Sequence, residues 1–415
     1  MPRPHSSLTR RSLLGAGTAA LLAPGLGAIP RASRRNLILV FAEGGWDTCY
    51  SLDPKLDVPQ IVSPGIDATP HPDDVDQIEW FGELPIVVNP IRRPAVGAFF
   101  AEHGHRITLV NGAWSGAVGH PLARRRLLTG TESGRNPDLT VIYGVEAGSE
   151  LPIGAFSFSR WQHRGTLSAS TARTGSTDQL DVLLYPSDGV DELAEPDALT
   201  ELRLRRIARF RERWGDGGPN DTRLDAELES IERAAGLRAL ARGDALTLAK
   251  PPTLADSAPQ AVDLLRAGAT RSILLAQEGF DTHSNTHHQD SLQQDLFTGV
   301  HALAQHLEAA GLLDDTLVMV TSEMTRTPAL NSMGGKDHWP YLSFLFFGGG
   351  APANRLLGGT DDRMEGRPVD LATGALWDGG ALPRYDQILA GVLEHLDVDP
   401  GPWWPQTSSW GGLLR

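Results

Sequence analysis

The chain reads as an α/β protein, with a mostly parallel sheet covered by helices on both faces and a helical insertion. Three observations predict this. Five short apolar runs, at 36–42, 106–110, 272–276, 316–321 and 342–347, recur along the chain with helical stretches before or between them, the alternation that builds parallel sheets. Those runs are apolar at nearly every position rather than at every second one, as strands buried on both faces must be. The 45 Gly and 29 Pro among 415 residues supply many loops, which suits such a chain better than a helical bundle.

The first 32 residues read as an export signal rather than as part of the fold. Arg3, Arg10 and Arg11 make a basic start, and 13–28 is an uncharged Gly/Ala-rich apolar stretch ending in small residues and Pro30. It is short for a membrane span. Thr9-Arg10-Arg11-Ser12-Leu13-Leu14 resembles the twin-arginine export motif. Cleavage near Ala28 or Ala32 removes arginines and no acids, taking the formal charge from −14 towards −18. No later stretch reaches membrane-spanning length. The expectation is a soluble mature protein in the periplasm or outside the cell, with the twin-arginine machinery as its export partner. Such cargo is exported folded, often with a metal already seated.

Beyond the signal, 36–42 (NLILVFA) is a buried strand bounded by Gly44-Gly45, and the Pro/Asp-rich 53–76 is loop. A short helix over 94–103 feeds a second strand at 106–110. The Ser/Thr/Gly-rich 154–175 shows no periodicity and reads as a surface excursion. Residues 199–248 are Arg/Glu/Leu/Ala-rich at helical spacing, broken once at 215–219, which predicts a helical hairpin with an exposed charged surface. A helix over 260–267 leads into the strand at 272–276. Leu292, Leu296, Val300, Leu303 and Leu307 form one stripe of an amphipathic helix over 291–310. Strands at 316–321 and 342–347 and a closing helix at 385–396 complete the chain. There is no internal repeat or long linker, so 36–415 reads as a single domain carrying the insertion.

Composition narrows the function. Apolar residues at 40% and charged residues at 21% exclude wholesale disorder, collagen and coiled coil. A net charge of −14 argues against nucleic acid as a partner. The basic residues are nearly all Arg, with lysine only at Lys55, Lys250 and Lys336, a bias read as genomic. The lone cysteine, Cys49, excludes an internal disulfide and any cysteine-based metal cluster; it reads as a small buried side chain.

In open α/β sheets ligands bind beyond the carboxyl ends of the strands, and acids and histidines recur there. Glu43 and Asp47 follow the first strand. Ser115 and Gly119-His120-Pro121 follow the second. Glu278 to His283, then His287 and His288, follow the strand at 272–276. Ser322-Glu323 and Arg326-Thr327-Pro328 follow 316–321, and Gly335-Lys336-Asp337-His338 precedes the last strand. Taken singly, each is as readily a solvated or structural side chain as a ligand; five loops that the fold makes converge are a different matter. Imidazole and carboxylate without thiolate suit zinc, manganese or iron, whereas an all-oxygen set would suit magnesium or calcium.

The strings Phe280-Asp281-Thr282-His283, Ser322-Glu323-Met324-Thr325-Arg326-Thr327-Pro328 and Gly335-Lys336-Asp337-His338 resemble those of the "domain of unknown function 1501" family. That family is commonly twin-arginine-exported and itself resembles the alkaline phosphatase and sulfatase superfamily. Gly348-Gly349-Gly350, Leu357-Gly358-Gly359-Thr360 and the closing helix fit the likeness too. It implies an alkaline phosphatase-like sheet with a two-ion type of site at its carboxyl edge. By position, one ion would take Asp281, His283 and His338, with His287 a rival for the second place. The other would take Glu43 or Asp47 and Glu323, although Met324 stands where the superfamily has a histidine. The superfamily sets a nucleophilic Ser or Thr at a helix start, where amides and metal stabilise its alkoxide; here that place holds Gly119-His120. His120 and the upstream Ser115 are the candidates for catalysis, with ion-activated water as the remaining attacker.

Arg326 reads either as a clamp for a phosphate or sulfate oxyanion or as a structural partner of Glu323 or Asp337. Asp337 either ligates an ion or orients His338 from behind; the second is preferred, since adjacent residues rarely both face one ion. Trp46 is the candidate substrate platform, whereas Trp339, Trp403, Trp404 and Trp410 read as packing residues. The leading expectation is therefore an exported hydrolase of a small or polymeric phosphate or sulfate ester, dependent on a divalent ion such as zinc, manganese, iron or calcium. The alternative, motivated by Gly119 and Met324, is a non-catalytic cell-envelope binding protein on the same fold.

Overall fold

A computed structural model describes residues 35–62, 70–165, 167, 171–173, 196–218, 220–221, 223–225, 227–228, 231 and 253–415. In chain order its strands are β1 (Asn36–Ala42), β2 (Gln77–Phe81), β3 (Leu84–Val88), β4 (Ile107–Trp114), β5 (Ala155–Ser157), β6 (Thr171–Arg173), β7 (Ser272–Gln277), β8 (Thr316–Thr321), β9 (Thr325–Arg326), β10 (His338–Trp339), β11 (Tyr341–Phe347) and β12 (Arg355–Gly358). The helices are α1 (Pro94–His103), α2 (His120–Thr129), α3 (Leu139–Ala147), α4 (Pro196–Trp214), α5 (Leu254–Arg266), α6 (His288–Ala309) and α7 (Tyr385–His395).

Eight strands form one mixed, mostly parallel sheet in the order β12-β4-β11-β8-β1-β7-β5-β6. β1 pairs in parallel with β7 on one side and β8 on the other. β11 alone runs backwards, antiparallel to both β8 and β4. The apolar runs explain this arrangement. Side chains alternate across a strand, and in β1 Ile38 and Val40 join the core under α1, α5 and α6 while Leu37, Leu39 and Phe41 join the core under α2, α3 and α7. A strand covered on both faces has no use for polar positions.

Several elements correct the sequence reading. Residues 154–175 are not a surface excursion throughout: β5 is fully buried beside β7 and pairs with β6. A strand of three residues is too short to show periodicity. The helix expected from 260 starts at Leu254, because Thr253 caps it by accepting from the Asp256 amide and Pro259 is carried inside rather than breaking it. Of the helical hairpin, α4 is present and helical positions recur between 220 and 231. The remainder of the hairpin, and the export segment at 1–32, lie outside the described residues. Among the described residues no helix is long and apolar enough to cross a membrane.

The turn leaving β1 sets up the site. Gly44 and Gly45 take φ of +119° and +97°, conformations that L side chains rarely adopt. A Cβ on Gly44 would stand 2.5 Å from the Asp281 amide nitrogen, so only glycine lets the β1 exit touch the β7 exit. Gly44→Ala is expected to destabilise the protein by more than about 1–3 kcal/mol, since a steric clash adds to the backbone cost. Gly311→Ala, also left-handed but facing open space, should cost only about 1–2 kcal/mol. Urea unfolding of the two variants side by side checks the difference.

Candidate metal centre

Four imidazole or carboxylate side chains from three separate segments meet at the carboxyl edge of the sheet. Asp281 and His283 leave β7, His120 opens α2 after β4, and His338 lies in β10, whose pairing with β9 sets it opposite Arg326. The ligand atoms of His120, Asp281 and His338 all lie within 4.8 Å of one another. His120 Nε2 is 3.1 Å from Asp281 Oδ2, and His338 Nε2 is 3.0 Å from Asp281 Oδ1. His283 Nε2 lies 3.1 Å from Asp281 Oδ1 and 2.9 Å from His338 Nε2.

The other ring nitrogens decide what these contacts mean. His338 Nδ1 faces the Val118 carbonyl at 2.6 Å, His283 Nδ1 faces Asp337 Oδ1 at 3.2 Å, and His120 Nδ1 faces Glu323 Oε1 at 3.0 Å. Each partner is an acceptor only, so in each neutral ring the proton belongs on Nδ1 and the lone pair on Nε2. Three Nε2 lone pairs thus face one carboxylate, with His120, Asp281 and His338 as the mutually close set and His283 beside His338. Separate protons would relieve these contacts one at a time; a single divalent cation relieves them together. Imidazoles held from behind by carbonyl or carboxylate oxygens are the usual setting of histidine-bound zinc, and the residues fit such an ion.

The local field favours an ionised Asp281 and a neutral His338, but holds His120 towards its protonated form, so an ion there displaces that proton. Desolvation alone would raise the Asp281 carboxyl, but the close His338 ring, the hydrogen bond from Arg326 and the Arg326 charge hold it well below the usual carboxylate range. It is therefore ionised at any working pH. His120 is raised, chiefly by its hydrogen bond to Glu323, against the effect of burial. His338 is lowered, chiefly by desolvation, which favours the neutral ring a metal needs.

Other expected residues stand elsewhere. Arg326 is not an oxyanion clamp: it is fully buried, and its donors go to the carbonyls of Gly44, Gly45, Phe280 and Lys336 and to Asp281 Oδ1. Its acidic partner is Asp281 rather than Glu323 or Asp337. Ser115 is no substitute nucleophile, since it is buried and its hydroxyl is bonded to the Ala117 and Pro340 carbonyls. Asp47 does not face the centre; it is sealed in an ion pair with Lys336, Nζ to Oδ2 2.7 Å, both side chains fully buried. Glu323 lies behind His120 and accepts from the Gly44 amide. Asp337 supports His283 and not His338. His287, half-buried ahead of α6, is not among the converging atoms. Trp46 is wholly buried and no platform, and Met324 packs with Ala117 and Ala123.

Beside the centre opens a cleft of about 540 Å³ lined by Glu43, His120, Arg124, Arg160, Trp161 and Asp281. Arg124 lies flat on Trp161, 3.8 Å from the ring centroid, and its buried Nε and Nη1 have no hydrogen-bond partner. Glu43 is 3.5 Å from Arg124 and 2.8 Å from Arg160, and one of its oxygens is likewise unpartnered. A Cβ on Gly119 would meet open space. Sequence reasoning missed Arg124, although it stands four residues after His120 and so shares its helical face; Arg160 and Trp161 were hidden by the misread β5. A cavity of similar size, about 570 Å³ around Thr131 and Trp404, lies apart from these groups, and its Arg384 is already paired with Asp386.

Removing one member of a buried ion pair leaves the other charge unanswered, at about 3–5 kcal/mol. Lys336→Met is expected to show a loss of that order in urea unfolding, and Lys336→Met combined with Asp47→Asn should recover most of it.

Comparison with known proteins shows the family of the chain. No curated protein matches the chain in sequence. Solved structures similar to it include a sulfatase from Pseudoalteromonas sp., at 10% identity over 92% of this chain and 72% of that one, with a TM-score of 0.41. The lipoteichoic acid synthase LtaP from Listeria monocytogenes is 9% identical over 94% and 79%, TM-score 0.36. The C-terminal periplasmic domain of EcEptC from Escherichia coli, in complex with zinc, is 10% identical over 79% and 77%, TM-score 0.36. The family described as "Protein of unknown function (DUF1501)" matches residues 34–371, and the chain belongs to it.

Proposed function

We propose that the protein is an exported, metal-dependent hydrolase of phosphate or sulfate esters. The observation that carries this is the convergence of three Nε2 lone pairs on the Asp281 carboxylate. His120, Asp281, His283 and His338 would hold the ion, and Glu323, Asp337 and the Val118 carbonyl keep the rings turned towards it. A bound zinc-class ion supplies Lewis acidity towards an ester oxygen. Arg124 and Arg160 line the cleft beside the ion and bind the remaining oxygens of the anion in competition with Glu43, 3.5 Å from Arg124 and 2.8 Å from Arg160. Stacking of Arg124 on Trp161 fixes the plane of the guanidinium, so little freedom is lost on binding. Ser115 is sealed and residue 119 is glycine, so this reading assigns the attack to solvent water: its oxygen bonds to phosphorus or sulfur as the ester P–O or S–O bond breaks, and the alcohol leaves with a proton taken from that water.

The same absence of a hydroxyl favours a second reading, an anion-binding protein that does not turn over. Zinc-loaded protein and a panel of aryl phosphates and sulfates separate the two. The hydrolase reading expects turnover that is abolished, together with the ion at this centre, in Asp281→Asn and His338→Ala. It expects Arg124→Met to keep its metal and lose about 10–100-fold in kcat/KM, the worth of a charged hydrogen bond. Binding of these anions without turnover supports the second reading, and neither binding nor turnover sinks both.

Export by the twin-arginine route rests on Arg10-Arg11 and the short apolar run after them. A fusion of residues 1–40 to a reporter should reach the periplasm, and Arg10→Lys/Arg11→Lys should retain it in the cytoplasm. Export of the double variant at the unaltered level would refute that route.

A further inference from the structure

At the opposite end of α6 a second group of potential ligands stands apart from the centre described above. Glu102 and His103 form the last turn of α1, and His301 faces them from α6; their ligand atoms all lie within 4.8 Å of one another. The two groups share no residue, and His301 stands about 20 Å along α6 from the end that follows His283, at 1.5 Å per residue.

We infer that Glu102, His103 and His301 form a second cation site, for a zinc-class divalent ion that clamps the end of α1 to α6. His103 is 1% exposed, and its Nε2 is buried without a hydrogen-bond partner. A buried polar atom left unsatisfied is uncommon and calls for a physical account. This one lies 3.8 Å from Glu102 Oε1, while Glu102 Oε2 is 2.7 Å from His301 Nε2. Ligand atoms held about 2.1 Å from a tetrahedral ion stand about 3.4 Å apart, and these separations bracket that value. The two imidazoles meet edge to face, centroids 5.4 Å apart, so their nitrogens approach from different directions rather than stacking. Phe99 floors the group, its ring 5.5 Å from His103 and 6.2 Å from His301. An apolar floor excludes water from one side and strengthens coordination. The Gln305 amide nitrogen stands 3.3 Å from Glu102 Oε2 and 3.1 Å from His301 Nε2; it steadies the carboxylate, and an ion takes its place at the ring nitrogen. The open side, where Glu102 is exposed, leaves a fourth position to water.

The role of this site is structural. α1 and α6 already pack through Phe99, Phe100 and Phe297, and an ion at their far end would fix their mutual rotation. Two imidazoles and one carboxylate select zinc or its first-row neighbours over magnesium or calcium.

The test uses full-length protein stripped with chelator, reloaded with zinc sulfate, desalted and assayed for bound zinc and thermal stability. His338→Ala should still carry one zinc per chain, and His338→Ala/His301→Gln should carry none. His301→Gln alone should lose one zinc relative to wild type and bind the second equivalent more than about tenfold more weakly. Its thermal stabilisation by zinc should shrink accordingly. His103→Gln alters a buried side chain and can fail for structural reasons; Glu102→Gln, at an exposed position, reads the same site without that difficulty. Unchanged zinc content and unchanged zinc stabilisation in both His301→Gln and Glu102→Gln would overturn the inference. A failure of the first centre to bind metal would leave it intact, since wild type would then hold the single ion that these variants lose.

Discussion

The carboxyl edge of the sheet depends on a buried guanidinium being answered on every side. Arg326 carries a full charge into a place with no solvent contact, which is tolerable only where its donors are all met. They are met by carbonyls of Gly44 and Gly45 after β1, Phe280 after β7 and Lys336 before β10, and by the Asp281 carboxylate. Each of these segments is thereby fixed relative to the others. Asp281 is held in place and kept ionised by the same contact, so the position of one candidate ligand and its charge have a single cause.

That commitment divides the arginines of the site into two kinds. Arg326 is fully spent inside the protein and has nothing left for a substrate. Arg124 is stacked over Trp161 and lines the cleft, with its Nε and Nη1 buried near Glu323 and Glu43, and Arg160 is largely open to solvent. An anion would therefore meet two guanidiniums that share the cleft with Glu43, Glu278 and Asp281, on a molecule whose overall charge is −14. Acidic surroundings repel an anion at long range but are screened within about 10 Å at ordinary ionic strength, so the short-range geometry decides.

What the sequence made legible follows from periodicity and from strand ends. The five apolar runs became β1, β4, β7, β8 and β11 because two-sided burial leaves a continuous signature. Asp281, His283 and His338 were recognisable because each sits at a strand's boundary. Less visible were features defined by who faces whom. His120 reads as a catalytic residue until α2 turns it towards Asp281, and Arg326 reads as a clamp until the loops close around it. Lys336 looked like compositional noise, yet it neutralises Asp47 at a fully buried position. β5 is too short to register as a strand, and with it went Arg160 and Trp161. Pairings such as these are made by tertiary contacts hundreds of residues apart, and no local pattern encodes them.

The order of the strands has a consequence for how the chain comes together during synthesis. β1 emerges first but lies between β7 and β8, which the ribosome supplies more than 200 residues later. β11 must then insert between β8 and β4. Five of the seven pairings in this sheet join strands more than 100 residues apart, so much loop-closure entropy is met before contacts reward it, and such topologies fold slowly. Until residue 347 is available the nascent chain carries open, apolar strand edges, the kind of surface that chaperones cover and that aggregates when they do not.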